Sequence, residues 1–351
     1  MDVTAVDRPL QFPWDAPPPP GEAIAVADGI LWARLPLPMA LDHVNVYALD
    51  DGASGWTLVD TGLDWAKGRR ALDALRRGPL AGRPIHRVIV THHHPDHVGL
   101  AGRLVAEGAA LVMARIGWLT ARMLVLDPQD RPTAEQIAFR RRAGITGDTL
   151  ERYATERPFN FADCVAPLPL GFRALGDGDV VEAAGRRWQV DLGEGHAPSQ
   201  ATLWSEDGEI VLTADQVLPC ISPNIGVYPT EPEADPLTGW LDTCRRLSAR
   251  IGATDPLMLP GHQMPFRGGA QRLRQLIDNH QHALDRIMAV LDDEGPRTAL
   301  ELFQPLYRRP IGAAEQGLAL AEAVAHVNHL AAAGRVAGQV RPDGTIAWAR
   351  R

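Results

Sequence analysis

Apolar positions recur with two different periods along this chain, and the changes between them mark its divisions. From residue 23 to about 114 the runs are short and strand-like, at Ile30–Leu35, Val44–Leu49 and Thr57–Val59, followed by Arg87–Val90, which reads as a buried strand. One helical spacing, Trp65–Arg76, interrupts them. Residues 115–165 change character, with helical stretches at Ala134–Ala143 and Asp148–Arg157 separated by loops, and read as a helical insertion. Strand patterns return at Val180–Ala183, Arg187–Asp191, Ala201–Trp204 and Ile210–Thr213. A proline-rich stretch from Pro219 to Pro236 follows. Beyond residue 262 the spacing becomes helical over Leu273–Leu291, Ala299–Leu306 and Glu315–Ala333. The chain closes on Val336–Val340, a Pro342-Asp343-Gly344 turn and Thr345–Ala349.

These patterns predict an N-terminal arm over 1–22, which ends in four prolines, and a main α/β domain over 23–268 carrying the insertion. Helices followed by a hairpin predict a small winged-helix-like domain over 269–351. In its last helix Ala321, Val324, Val327 and Leu330 form one apolar stripe that must be buried, by packing or in a homodimer.

Composition narrows the function classes. The chain has 351 residues, 45% hydrophobic and 22% charged, and no apolar run nears the roughly 18 residues that a membrane span needs. The first residues are acidic and lack an apolar core segment, which argues against export and predicts a cytoplasmic location. Cys164, Cys220 and Cys244 are widely spaced and odd in number, as reduced thiols are. The formal net charge is −8, and over residues 281–351 eight arginines meet eight acidic residues. That balance is a poor base for phosphate contacts and argues against a nucleic-acid partner.

The chemistry concentrates in Val88-Ile89-Val90-Thr91-His92-His93-His94-Pro95-Asp96-His97. An apolar strand runs straight into imidazoles and a carboxylate, the side chains that suit a borderline divalent cation such as zinc. His92 and His94 sit two apart and share a face of an extended strand end, whereas His93 points the other way. Asp96 and His97 follow the proline and can face a second position. Three later residues also end strands or turns: His196 in Gly195-His196-Ala197-Pro198, Asp215 after Leu212-Thr213-Ala214, and His262 after Leu259-Pro260-Gly261. Five histidines and two aspartates are enough donors for two metals.

The run His92-x-His94-x-Asp96-His97, followed in order by His196, Asp215 and His262, resembles the signature of the metallo-β-lactamase superfamily, and Val59-Asp60-Thr61-Gly62 resembles its early Asp-Thr-Gly turn. The resemblance covers about residues 23–265 and implies an αββα sandwich, with metals at one edge between the sheets. It implies one metal on His92, His94 and His196, a second on Asp96, His97 and His262, Asp215 as a bridge, and Asp60 orienting a ligand histidine. The C-terminal region resembles the winged-helix end of β-lactamase-like protein 2 relatives.

The implied activity is that of a binuclear metallo-hydrolase with two divalent ions, zinc first and iron or manganese as alternatives. A metal-bridging hydroxide would attack a carbonyl of a thioester, ester or lactone, with Asp96 both a ligand and the group orienting the nucleophilic water. An endoribonuclease or phosphodiesterase of the same fold is the alternative, and a non-catalytic binding or regulatory protein the second. Cys220, near the Asp215 strand end, lacks an adjacent base and is not needed as a nucleophile. The insertion and the proline-rich loop are expected to roof the site for a small-molecule acyl substrate, with Ile221, Ile225 and Tyr228 lining the pocket.

Overall fold

The two strand-rich stretches of sequence become two sheets. The computed structural model describes residues 10–252 and 254–351. The first sheet runs in chain order through β1 (Ile24–Ala27), β2 (Ile30–Pro36), β3 (His43–Asp50), β4 (Trp56–Val59), β5 (Ile85–Val90), β6 (Ala110–Ala114) and β7 (Arg173–Leu175). Pairing is antiparallel from β1 to β4 and parallel from β4 to β7. The parallel pairs are reached through helices α1 (Ala66–Arg77), α2 (Pro95–Val98), α3 (Ala101–Ala106) and α4 (Arg115–Leu126). The second sheet has the order β12-β11-β10-β9-β8, from β8 (Val180–Ala183), β9 (Arg186–Gly193), β10 (Gln200–Ser205), β11 (Ile210–Ala214) and β12 (Leu257–Pro260).

Alternation decides which side chains fill which layer. Trp32, Tyr47, Val59, Ile89 and Val112 of the first sheet meet Trp188, Val190, Leu203, Leu212 and Leu259 of the second in one buried cluster. The opposite face of the first sheet, with Val44, Val46, Leu58, Val88 and Val90, packs on Leu72 and Leu75 of α1, Leu104 of α3 and Ala121 of α4. The chain is thus a mixed α/β protein in which two sheets share an apolar layer and helices cover the first sheet. Among the described residues no helix is long and apolar enough to cross a membrane.

Compactness divides the chain differently from sequence order. One unit comprises residues up to Pro128, Phe159–Pro223 and Ser248–Arg272; the other comprises Gln129–Pro158, Asn224–Leu247 and Leu273–Arg351. The second unit holds α5 (Ala134–Arg142), α6 (Gly147–Thr155), most of α7 (Pro236–Ile251) and α8 (Gly269–Glu294), α9 (Phe303–Tyr307), α10 (Gln316–Ala332) and the antiparallel hairpin of β13 (Val336–Val340) and β14 (Ile346–Arg350). The expected insertion over 115–165 is therefore split. Its first helix, α4, packs in the sandwich unit, while α5 and α6 belong with the C-terminal elements. Leu300 N–H donates to Ala143 O at 2.9 Å, and the Asn328 carboxamide holds Pro232 O and Ala234 O at 3.0 and 2.9 Å. The stripe of Ala321, Val324, Val327 and Leu330 is buried within the chain.

Residues 1–9 of the expected arm lie outside the described residues. The remainder packs on the sandwich unit: Gln11 and Arg267 exchange backbone bonds of 3.1 and 2.8 Å, and Trp14 meets Trp32 edge-on.

Two positions give testable consequences. Gly99 follows α2 where Gly62 of the loop after β4 crosses it; a Cβ there would lie 2.4 Å from Gly62 O and 2.5 Å from Pro95 O. Both neighbours are backbone, so Gly99→Ala is expected to destabilise the fold by about 1–3 kcal/mol, read as a lower urea midpoint. In the second unit the buried His326 donates from Nδ1 to Glu322 O at 2.8 Å and its Nε2 lies 3.2 Å from Nδ1 of His280. Burial, with the neighbouring histidine, holds His280 at about 3, and burial holds His326 at about 4. An unfolded imidazole takes up a proton near pH 6.5, whereas these rings resist it. Their contribution is therefore complete above pH 6.5 and is lost as pH falls toward 4, by roughly 2 kcal/mol per ring at pH 5. The stability lost between pH 7.5 and 5.0, measured by denaturant titration, should be smaller in His280→Asn than in wild type.

Candidate metal centre

Every candidate donor stands just beyond the C-terminal end of a strand. β4 and β5 are parallel, and β9, β11 and β12 share one direction in the second sheet. The two sheets are joined at this end by the Ala201 N–H, which donates to Thr91 O at 2.9 Å. Asp60 follows β4, His92 to His97 follow β5, His196 follows β9, Asp215 follows β11 and His262 follows β12.

Local sequence explains the compactness of the β5 loop. The residue before a proline prefers extended backbone, and His94 has φ −62° and ψ 146°. Pro95 then occupies the first turn of α2, where its missing N–H costs nothing. His94 thus leaves the strand end extended, and Asp96 and His97 turn back on a helix.

The donor atoms form three overlapping groups, each with all atoms within 4.8 Å of one another: His92, His94 and His196; His92, His97 and Asp215; Asp96, His97 and His262. Asp215 Oδ2 lies 3.4 Å from His97 Nε2, 3.5 Å from His196 Nε2 and 3.2 Å from His262 Nε2. Asp96 Oδ2 lies 3.3 Å from His262 Nε2 and 3.6 Å from His97 Nε2. The far ring nitrogens are engaged. His97 Nδ1 donates to Asp60 Oδ2 at 2.8 Å, and His262 Nδ1 donates to His43 O at 2.7 Å. Each ring therefore turns its Nε2 inward. Asp60 is fixed in turn by Thr91, whose N–H and hydroxyl both donate to it at 2.8 Å.

This arrangement fits a bound cation on its own geometry. The His97 Nε2 is fully buried, makes no hydrogen bond and faces two carboxylates. Asp96, which burial alone would push up, is held below the ordinary carboxylate range by His97 and by the His262 hydrogen bond. Burial would lower His97 and His262, yet Asp215 and Asp96 hold both above the ordinary histidine value. The site demands positive charge. Gly261 shows how closely the groups approach: a Cβ there would lie 2.2 Å from Asp215 Oδ1 and 2.9 Å from His97 Cε1.

Residues 39–262 match the family model of the metallo-beta-lactamase superfamily, which is more than half of the chain. The chain belongs to the metallo-β-lactamase superfamily. Residues 284–351 match a second model, the metallo-beta-lactamase-like C-terminal domain. A crystal structure of a beta-lactamase domain protein from Burkholderia ambifaria is 34% identical, covers 97% of this chain and 98% of its own, and superposes with a TM-score of 0.88. A metallo-beta-lactamase family protein from Thermus thermophilus is 30% identical over 93% of this chain and all of its own, with a TM-score of 0.76. The Bacillus subtilis protein named "Probable metallo-hydrolase YqjP" is 26% identical over 87% of this chain and 93% of its own length. A metallo-hydrolase with a histidine and aspartate cluster able to hold metal is what family and geometry together support.

Within this superfamily member the seven residues singled out by spacing are brought to one place, and Asp60 lies behind His97. His93 is outside the three groups; it is buried and stacks on Phe161 with the rings 10° from parallel. The three pocket candidates are not alike. Ile221 is half-buried and Tyr228 is exposed, but Ile225 is fully enclosed and is a packing residue, not a pocket wall. Spacing could not reveal the backbone of the loops. Asp60 (φ 60°), Ser199 (φ 53°), Ala214 (φ 45°) and Gln263 (φ 68°) are all left-handed without being glycine, and each lies in a donor loop or, for Ala214, at the strand end just before one. Such residues cost on the order of 1–2 kcal/mol each and persist where surrounding contacts fix them.

Removing the charge behind His97 tests this arrangement. Asp60→Asn keeps the size of the group but weakens its hold on the His97 Nδ1 proton. Zinc affinity, measured against a competing chelator, is expected to fall by about 10–100-fold while circular dichroism is unchanged.

Proposed function

We propose that this chain is a binuclear metal-dependent hydrolase that cleaves a carbonyl substrate, a thioester, ester or lactone. The observation that carries the reading is the buried His97 Nε2 facing Asp96 and Asp215, with the other histidines converging on the same point. His92, His94 and His196 would hold one divalent ion, Asp96, His97 and His262 a second, and Asp215 would reach both. Zinc suits this nitrogen-rich set best, with iron or manganese as alternatives. Two such ions supply a water acidified toward neutrality and a polarised substrate oxygen.

The protein's own groups divide the remaining work. Of the two aspartates, Asp215 is 7% exposed and Asp96 18%, so Asp96 is the carboxylate that meets solvent and can orient the attacking water. Thr91 and Asp60 hold His97 from behind, and the carbonyl of His43 holds His262. No nucleophilic side chain is required, and among the described residues no base is hydrogen-bonded to the exposed Cys220 thiol. A net charge of −8 and a charge-balanced C-terminal segment favour a small acyl substrate over a nucleic acid. The winged-helix-like end, with its hairpin, is assigned to packing or homodimerisation in the cytoplasm.

Metal-replete protein should carry two ions per chain by elemental analysis and hydrolyse at least one member of a panel of acyl-thioesters, lactones and p-nitrophenyl esters. Asp96→Asn should retain its fold and lose at least about 100-fold in kcat. Cleavage of single-stranded RNA with the whole acyl panel inert would replace the carbonyl reading with the phosphodiester one, and fewer than one ion per chain would end the two-metal assignment.

A further inference from the structure

Strand β3 carries two kinds of residue in strict alternation. Val44, Val46 and Ala48 enter the apolar layer under the helices. His43, Asn45 and Tyr47 occupy the other register, and a period-two reading alone would assign them to solvent. Asn45 and Tyr47 are instead almost wholly buried, at 1% and 2% exposure.

All three bond to one four-residue segment, Pro260–Gln263, which carries His262. Pro260 O accepts from the Asn45 carboxamide and from the Tyr47 hydroxyl, both at 2.8 Å. Gly261 O accepts from the Asn45 backbone N–H at 2.7 Å. The Gln263 N–H donates to His43 Nε2 at 2.9 Å, while His43 Nδ1 is paired with Asp42 at 2.7 Å. Gln263 O accepts from Asn45 at 2.9 Å and from Arg34 Nη2 at 2.7 Å. Arg34 stands directly across from Asn45 on β2, and its Nε donates to the Asn45 side-chain oxygen, as does the Trp32 indole. Gln263 is left-handed, and its side-chain oxygen accepts the Cys220 N–H at 2.9 Å. Pro260 is the last residue of the β12 ladder, opposite Ala214, and Gly261 N–H still donates to Ala214 O at 2.9 Å; the other polar groups of the segment find partners on β3 and Arg34 where a continuing strand would have had a neighbouring backbone.

We propose that the His43–Asn45–Tyr47 register of β3, together with Arg34, is a positioning device for His262. It sets the metal affinity of the Asp96, His97 and His262 group and leaves the His92, His94 and His196 group alone. The inference rests on the two-metal reading of the centre. Its physical basis is the accounting of buried polar groups. With the Asn45 side chain removed, Pro260 O and Gln263 O each keep a single donor, Tyr47 and Arg34, and the Trp32 indole loses its acceptor, so the segment is held by fewer bonds and shifts as they rearrange. His262 moves with it, and an imidazole displaced by a few tenths of an ångström is a weaker ligand.

The test uses full-length protein with zinc as the probe. Wild type, Asn45→Ala and Tyr47→Phe are equilibrated in graded free-zinc buffers and their bound metal is counted. In Asn45→Ala one of two sites should weaken by about 10–100-fold while the other stays within threefold. Tyr47→Phe removes one donor to Pro260 O and keeps the ring, so the same site should weaken at least threefold; this variant decides the matter if Asn45→Ala does not fold. Two sites as tight as wild type in the folded variants, or equal weakening of both sites, overturns the proposal. A second readout is independent of metal. The His262 Nδ1 proton, observed by NMR in the metal-free protein, should exchange at least tenfold faster in the variants, and unchanged exchange overturns the proposal as well. Wild type binding fewer than two ions would fail the two-metal reading alone, because the exchange readout would still judge the positioning role.

Discussion

Five imidazoles and two carboxylates converge on one buried point, and the rest of the structure is arranged to hold them there. Lone pairs and negative charge crowded at 3.2–3.6 Å repel one another unless positive charge is shared among them. The direction of the shifts shows it: Asp215 and Asp96 draw His97 and His262 upward against the effect of burial, while His92 and His94, buried among other imidazoles, are held well below their ordinary value. Asp60 and the His43 carbonyl fix which nitrogen of His97 and His262 faces inward.

The sheets make this convergence possible at low conformational cost. Strands sharing a direction deliver the residues that follow them to one edge, so the donors meet there although the chain between β11 and β12 is long. The left-handed residues Asp60, Ser199, Ala214 and Gln263 show where the loops turn more sharply than ordinary residues prefer. The strain is local, and the apolar layer between Trp32, Ile89, Trp188 and Leu212 keeps the loop bases in place.

Much of the sandwich and the donor set was legible in the chain because both rest on short-range pattern. Strand-like runs located β2, β3, β4, β5 and β8 to β11 closely, and residue type with spacing singled out the seven side chains that the fold brings together. Elements that break the pattern were not read. Ala110–Ala114 is too short and alanine-rich to stand out as a strand, and Arg173–Leu175 has three residues. Helix α7 was hidden by the proline-rich stretch before it, although Asp235 and Pro236 form a start signal: Asp235 Oδ1 accepts the Thr238 N–H at 3.1 Å. The grouping of α5 and α6 with the C-terminal segment depends on contacts between residues more than a hundred positions apart, which no local period encodes. Ile225 looked like a pocket residue because apolarity alone cannot distinguish a wall from a filling.

The order of the donors along the chain has a consequence for synthesis. His92 leaves the ribosome about 170 residues before His262, which at roughly 10 residues per second is some 17 seconds. β12 pairs parallel to β11 and must return across residues 215–256 before it can lie down. A nascent chain therefore displays the His92-x-His94 pair, with Asp96 and His97, well before the residue that completes the second group has been made. Until then the group of Asp96, His97 and His262 lacks one of its three members. Any cation the finished site takes would therefore find the full donor set only after β12 has docked.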